Sequence, residues 1–448
     1  MYTTLSEEVS MSALRVVVLG AGPAGAAVAI GLRRLGFDVY VVSEWRRFSA
    51  VEGVSVRVLE GLRRAGMSRA VACADSVSSR QVLWNGTPSV RNQEFLLDRP
   101  RFDAALRDDM RIAGVELVEA RVREVNSDES GHRILLDSSS SKRWLEADFL
   151  VEARGRQAPL GGSRLRGPET VTLLNQWQGD AGRCGSAVES LEDGWSWMAR
   201  LADGRCFWQL SLDAKSTSLP ARDEIATYCI QRCAESTLAL ELFGMPTHEG
   251  GRAFARSSTA TLAFETGGAN WLRVGDAAMA VDPLSGNGIF QALSSALQAP
   301  AVINTLLTCP EKSSLALGFH QQRIEQLFLR FARTGRDFYA LERHWAAEDF
   351  WAARSDWPDA RPLHAPPCFD SLKVKRVAVL KDNLIDESDV VVSDDQPLGM
   401  WHLNGIELAP LVGRLQAGEN FRAISEGLSR SQSTMLLTWL HAQGYQEA

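Results

Sequence analysis

A run of four apolar residues, Val16-Val17-Val18-Leu19, leads directly into Gly20-Ala21-Gly22-Pro23-Ala24-Gly25. A helix-forming stretch from Ala26 to Leu35 follows, Gly36 ends it, and a second apolar run, Val39-Tyr40-Val41-Val42, closes on Ser43-Glu44. Strand, glycine turn, helix, strand and acid in this order describe a βαβ unit of a parallel sheet. Gly20 permits the tight turn off the strand, and Gly22 lets a pyrophosphate approach the backbone. Gly25 lets the helix pack close to the strand, so that its amide-rich N-terminus faces the phosphates. Glu44 stands where a carboxylate accepts hydrogen bonds from a ribose 2′-OH. Gly20, Gly22, Pro23, Ala24, Gly25 and Glu44 are therefore the expected contacts of a dinucleotide; the alternative is a glycine turn that binds nothing.

Composition narrows the class. The chain has 448 residues, enough for two or three domains, and at 45% hydrophobic and 23% charged it reads as soluble and globular. A net charge of −7 argues against nucleic acid or an anionic membrane as a partner. The first fifteen residues hold Glu7 and Glu8 without a long apolar run, so no secretory signal is expected, and Met11 is a candidate second initiator. No stretch is long enough and free enough of charge to span a membrane. The seven cysteines are odd in number and scattered, which suits reduced thiols in a cytoplasmic protein. Cys229 and Cys233 share a helix face and read as packing, and the seven histidines show no ligand spacing, so no metal is expected.

Residues 46–115 read as mostly helical, with a strand at Gln81–Trp84 and a helix introduced by Leu97-Asp98-Arg99-Pro100-Arg101. A small β unit spans 115–136, and Asp148 to Glu152 is a buried strand ending in the turn Ala153-Arg154-Gly155-Arg156. From about 160 to 265 the pattern is β-rich with tryptophans, and a core strand returns at Trp271-Leu272-Arg273-Val274. Four prolines in 356–372 read as a linker. The expected organisation is 14–165 and 266–355 as two parts of one nucleotide-binding domain, 166–265 as a β-rich substrate domain, and 373–448 as a small helical unit.

Three segments together carry a resemblance: the turn at 20–25, Glu152 to Arg156, and Gly275-Asp276-Ala277-Ala278 with Asp282-Pro283-Leu284-Ser285-Gly286-Asn287-Gly288. Over residues 14–355 the chain resembles the glutathione-reductase-type FAD proteins of the aromatic hydroxylase superfamily. The resemblance implies an α/β fold, a Rossmann FAD-binding domain beside a β-rich substrate domain. It implies that Gly275 and Asp276 meet the ribityl chain, and that amides at Gly286, Asn287 and Gly288 face the flavin ring. It also implies that Arg99 (or Arg101) reaches the cofactor. No second strand-linked GxGxxG is visible, which argues against a separate nicotinamide domain, and no Cys-x-x-x-x-Cys redox pair is present.

Flavin-dependent halogenases share the start and a Trp-x-Trp segment, here Gly194-Trp195-Ser196-Trp197, but the Ile-Pro that follows in them is missing. The first lysine of the chain is Lys142, so the early lysine of those enzymes has no counterpart. Arg336 to Arg343, Phe350-Trp351 and the C-terminal unit resemble instead the flavoproteins of cysteine tryptophylquinone biogenesis, of the quinohemoprotein amine dehydrogenase type. Those hydroxylate a tryptophan of a partner subunit. In the C-terminal unit three short helices suggest a winged-helix-like bundle. From residue 390 onwards it has three basic residues (Arg414, Arg422, Arg430) against six acids (Asp394, Asp395, Glu407, Glu419, Glu426, Glu447), the wrong sign for DNA. A docking surface and a structural lid remain open.

Trp195, Trp197 and Pro283 are the expected lining of the substrate cavity, with only one of the two tryptophans facing it. Glu52 and Asp282 are candidate bases for the ring proton, with helix capping or ion pairing as the alternative for each. The reading is a single-component FAD-dependent monooxygenase acting through a flavin hydroperoxide, with NADH or NADPH as reductant. Its substrate is a tryptophan side chain of a partner protein in quinone cofactor maturation. The alternatives are a hydroxylase or halogenase of a small indole or phenol, a non-catalytic flavoprotein scaffold, and a flavin reductase of isoprenoid double bonds.

Overall fold

The computed structural model describes residues 14–74, 77–138, 141–158, 162–244, 251–286 and 288–446. The expectations for the first thirteen residues and for Asn287 lie outside them. Strands Arg15–Leu19, Asp38–Ser43, Phe149–Glu152, Trp271–Arg273 and Glu116–Glu119 form a parallel sheet, with Gly267–Gly268 antiparallel at one edge. Parallel strands are buried on both faces, which explains the unbroken apolar runs. Val16, Val18 and Val41 pack against helices that include Pro23–Arg34, Arg99–Ile112, Gly288–Ala296 and Ala299–Thr308. Val17, Leu19 and Val42 pack against an antiparallel meander of Arg121–Asp128, Gly131–Asp137 and Lys142–Ala147. Helices, sheet and meander make the three layers of the expected α/β fold.

A second sheet has eight strands, in the order Arg252–Ser257, Thr170–Gln178, Arg205–Asp213, Gly194–Arg200, Gly185–Leu191, Ser78–Trp84, Thr87–Asp98 and Val51–Val54. Residues 46–115 are thus less helical than expected, since three of these strands come from that stretch. The missed signal is Asn85-Gly86, whose φ values of 53° and 66° make a tight hairpin turn between Ser78–Trp84 and Thr87–Asp98. One face of the sheet is covered by helices Ile225–Ala234 and Thr237–Phe243. The other carries Val51, Leu96, Val188, Trp195, Ala199 and Phe207, and meets Leu284, Tyr339, Phe350 and Trp351. Trp195 and Trp197 both lie on this face. The expectation that only one could was wrong, because residues two apart on a strand point the same way.

The C-terminal unit has the expected helices, Leu408–Gln416, Phe421–Ile424 and Arg430–Ala442, around a core of Leu408, Val412, Ile424, Leu436 and Leu440. It is preceded by a β-hairpin, Lys373–Lys381 with Leu384–Val392, that the helical reading did not anticipate. Its turn, Asp382-Asn383, again has positive φ at both residues. The hairpin packs into the large domain. Ile385 belongs to the main core, its amide donates to Thr305 Oγ1 at 2.8 Å, and Lys312 pairs with Asp386 at 3.2 Å.

His320, on the long helix Ser313–Tyr339, is buried, and its Nε2 donates to the carbonyl of Arg273 at 2.9 Å. Burial pushes this imidazole down to about 4, against the hydrogen bond, from an ordinary 6.5. The native state therefore refuses a proton that the unfolded chain accepts, and stability is lost as pH falls through that window. The loss approaches about 3 kcal/mol. The melting temperature of the wild-type protein should fall more steeply between pH 6.5 and 4.5 than that of His320→Gln; parallel profiles would show that another group sets the acid limb.

Candidate functional site

The glycine turn is held from three sides. The Gly20 amide donates to Val42 O at 2.8 Å and the Ala153 amide to Leu19 O at 2.8 Å, which ties the turn to both neighbouring strands. Gly20 has φ +114°, and a Cβ there would overlap the Ala153 carbonyl. A Cβ on Gly25 would overlap the Gly20 carbonyl, so the helix starts in contact with the turn. Gly22 differs: a Cβ there would meet nothing within 4 Å. The space above Gly22 is open, and the first amides of the helix that begins at Pro23 border it. Glu44 is exposed just past the end of the second strand.

Gly275 docks directly on this turn. Its φ is +59°, and a Cβ on it would lie 2.7 Å from the Ala24 Cβ. Its amide donates to Ser295 Oγ at 2.8 Å. Asp276 follows, with Arg156 Nε 3.5 Å from its carboxylate. Enclosure and the charge of Glu52 push Asp276 above the usual carboxylate range, opposed by Arg156 and Arg99. Sequence reasoning passed over Arg156 as a site residue. Its guanidinium also donates to Thr259 O at 2.7 Å and Val281 O at 2.6 Å, bracing the segment that leads to Asp282. In the same motif Glu152 is fully buried and accepts from the amide and the guanidinium of Arg154, so that pair closes the strand end.

Glu52 forms an ion pair with Arg99, which also holds Asp103 at 2.8 Å, and Asp103 in turn holds Arg46 at 2.8 Å. Burial opposes the charge of Arg99, but the two carboxylates outweigh it and raise the guanidinium above its ordinary value. Glu52 is thus brought beside Arg99 and Asp276, and acting as a base would require giving up its ion pair. Asp282 caps the short turn Pro283–Ser285 by accepting from Leu284 N at 2.9 Å, and it accepts from Tyr339 Oη at 2.8 Å. Tyr339 accepts in turn from Trp195 Nε1 at 3.1 Å. Burial raises Asp282 against those two donors, and burial together with Asp282 raises Tyr339 well above its ordinary range. Pro283 is half-buried between this relay and Gly286, whose φ is +62°. Helix Gly288–Ala296 begins just beyond.

On the sheet face opposite this loop lies a buried carboxylate that sequence reasoning missed. Glu94 accepts from Ser186 Oγ, and Arg80 Nη1 stands 3.5 Å from its other oxygen. Nothing in the sequence around Glu94 marks it; its partners are distant in the chain.

The open space at Gly22, the helix N-terminus beside it, the exposed Glu44 and the half-exposed Asp276 fit a bound FAD in the extended form these folds use. Residues 13–183 match the FAD binding domain family. A solved structure of the peptidyl tryptophan dihydroxylase QhpG, essential for tryptophylquinone cofactor biogenesis, is 60% identical with a TM-score of 0.87. The match covers 97% of this chain and 100% of that one. The tryptophan 2-halogenase of Chondromyces crocatus is 24% identical over 77% of this chain and 71% of its own. The flavin-dependent halogenase CmlS shares the fold at 16% identity, with a TM-score of 0.75 over 97% of this chain and 96% of its own. Among the described residues no helix is long and apolar enough to cross a membrane.

Two substitutions test the geometry. Gly22→Ala should leave the melting temperature of the FAD-free protein unchanged but raise the FAD dissociation constant at least about tenfold. Equal affinity would mean that the cofactor does not approach this backbone. Tyr339→Phe strands the Trp195 N–H and removes a donor from Asp282, at a cost of about 1–3 kcal/mol. Urea unfolding at neutral pH reads it, and an unshifted midpoint would remove the relay from the account.

Proposed function

Because the chain belongs to the family of FAD-dependent hydroxylases that includes the peptidyl tryptophan dihydroxylase QhpG, we propose that it hydroxylates a tryptophan side chain of a partner protein during maturation of a peptide-derived quinone cofactor. The observation that carries this reading is the 60% identity sustained over essentially both chains. A bound FAD with NADH or NADPH as reductant would supply the oxygen-transfer chemistry that an indole ring accepts. The protein's own residues do the rest. Gly20, Gly22, Pro23, Ala24 and Gly25 receive the pyrophosphate at the helix N-terminus, and Glu44 receives the ribose. Asp276 holds a ribityl hydroxyl, with Arg156 fixing its orientation. Amides at Gly286 and Gly288 would stabilise negative charge on the ring system of a bound flavin. Arg99 sets the electrostatic potential beside Asp276 while it anchors Glu52.

Asp282 is the stronger of the two candidate bases. Its raised proton affinity matches the task, and Tyr339 fixes its position. Trp195, Trp197 and Pro283 are the proposed lining of the substrate cavity. The C-terminal unit is the proposed docking surface for the partner. The seven free thiols suit a cytoplasmic setting. Halogenation is disfavoured, since the first lysine, Lys142, is exposed on the meander on the outer face of the large domain.

The test is peptide mass mapping. The purified protein, FAD, NADH or NADPH and air are mixed with a tryptophan-containing small subunit of a quinone-cofactor enzyme. One or two added oxygens on a single tryptophan are expected. An unmodified subunit, with oxygen consumed and peroxide released, would refute the reading and direct the search to free indoles and phenols.

A further inference from the structure

We propose that Glu94 is the group that receives the N–H of the target indole, an inference that rests on the function proposed above. It starts from an imbalance among the buried glutamates. Glu189 accepts from Ser236 Oγ and from the amides of Thr237 and Leu238. Glu342 accepts from Ser190 Oγ at 2.6 Å and from the amides of Asn85 and His344, each at 2.8 Å. Glu152 is filled by Arg154. Each of these carboxylates is saturated by groups that hold the fold together. Glu94 is only 5% exposed, yet among the described residues it accepts one hydrogen bond, from Ser186, and receives no backbone amide. A carboxylate offers about four acceptor positions, and a buried one seldom leaves them empty.

Its surroundings are under-filled in the same way. Arg80 Nε and the Oγ of Ser78, which stands opposite Glu94 in the ladder, are buried without partners among the described residues. Gly53 leaves room for the carboxylate, since a Cβ there would overlap Glu94 Oε2. Glu94 shares a sheet face with Leu96 and, across the sheet, with Ser186 and Val188. That is the face Trp195 and Trp197 occupy, turned towards Leu284. Arg80 links it to the loop, because its Nη1 lies 4.0 Å from where a Cβ on Gly286 would sit. The carboxylate therefore stands one side chain away from the loop proposed to face the flavin, within an aromatic surface.

An indole ring is apolar except for one N–H, which can only donate. An under-used carboxylate in an aromatic wall is its chemical complement. A hydrogen bond from the indole N–H to a charged acceptor also pushes electron density into the ring, which favours attack on an electrophilic oxygen. Phenylalanine has no such donor, and a side chain without an N–H would leave Glu94 with only Ser186 and Arg80 as partners and its remaining acceptor positions empty, which supplies selectivity for tryptophan.

The experiment measures binding without turnover. The oxidised, FAD-loaded full-length protein, without reductant, is titrated with the same small subunit and with a form whose target tryptophan is replaced by phenylalanine. Wild type, Glu94→Gln and Glu94→Leu are compared, with bound FAD and melting temperature recorded for each. Glu94→Leu should weaken binding of the tryptophan form by about ten- to a hundredfold. Glu94→Gln, which keeps an acceptor, should lie between. Neither substitution should change binding of the phenylalanine form. Equal losses for both forms, or none for either, would overturn the role of Glu94 even where the wild-type protein still hydroxylates the subunit. A wild-type protein that neither binds nor modifies the subunit overturns the functional reading and this inference together.

Discussion

Contact between one helix and one strand, with no side chain between them, underlies the whole arrangement. Gly25 meets the Gly20 carbonyl, Gly20 meets that of Ala153, and Gly275 meets Ala24. Three segments far apart in the chain thus converge on one point at backbone distance. A methyl group at Gly20, Gly25 or Gly275 would push one of them away, whereas one at Gly22 would intrude only on the open space. The sheet order places the ends of Arg15–Leu19, Phe149–Glu152 and Trp271–Arg273 side by side at this point. The ligand site at the carboxyl ends of a parallel sheet follows from that convergence.

The second sheet is joined to this centre by polar links rather than by apolar packing alone. Trp195, Tyr339 and Asp282 form a relay from sheet to loop, and Arg99 joins Glu52 on the edge strand Val51–Val54 to Asp103 on a helix of the nucleotide-binding layer. These groups are paired, and all but Glu52 and Asp282 are buried, so the geometry between the two sheets is specified by hydrogen-bond direction as well as by shape. A reaction that needs an aromatic ring held at a set distance from a cofactor benefits from that rigidity.

How much could be read in advance depended on whether a feature was local. The glycine turn was legible because only backbone can approach backbone so closely, and that requirement is written in consecutive residues. The two hairpin turns, Asn85-Gly86 and Asp382-Asn383, were equally local, but arginine-rich and charged flanks made the strands beside them look helical or irregular. Arg156, Tyr339 and Glu94 were not legible. Each owes its environment to residues brought near by sheet order, Glu94 to Ser186 and Tyr339 to Asp282 and Trp195, and no spacing in the chain encodes that. Glu52 and Asp282 were chosen for their positions beside the motifs, and both prove to be engaged in an ion pair or a cap.

The C-terminal hairpin has a consequence for biosynthesis. Ile385 sits in the same core as Val16 and Val18, and its amide completes a hydrogen bond to Thr305. The layer that begins at residue 15 therefore lacks one of its walls until the ribosome has added residue 385. The nucleotide-binding domain closes only once this hairpin has been made rather than as soon as its own strands emerge. Until then an apolar gap on Ala299–Thr308 faces solvent, so the nascent chain depends on a segment made later to hide a surface made much earlier.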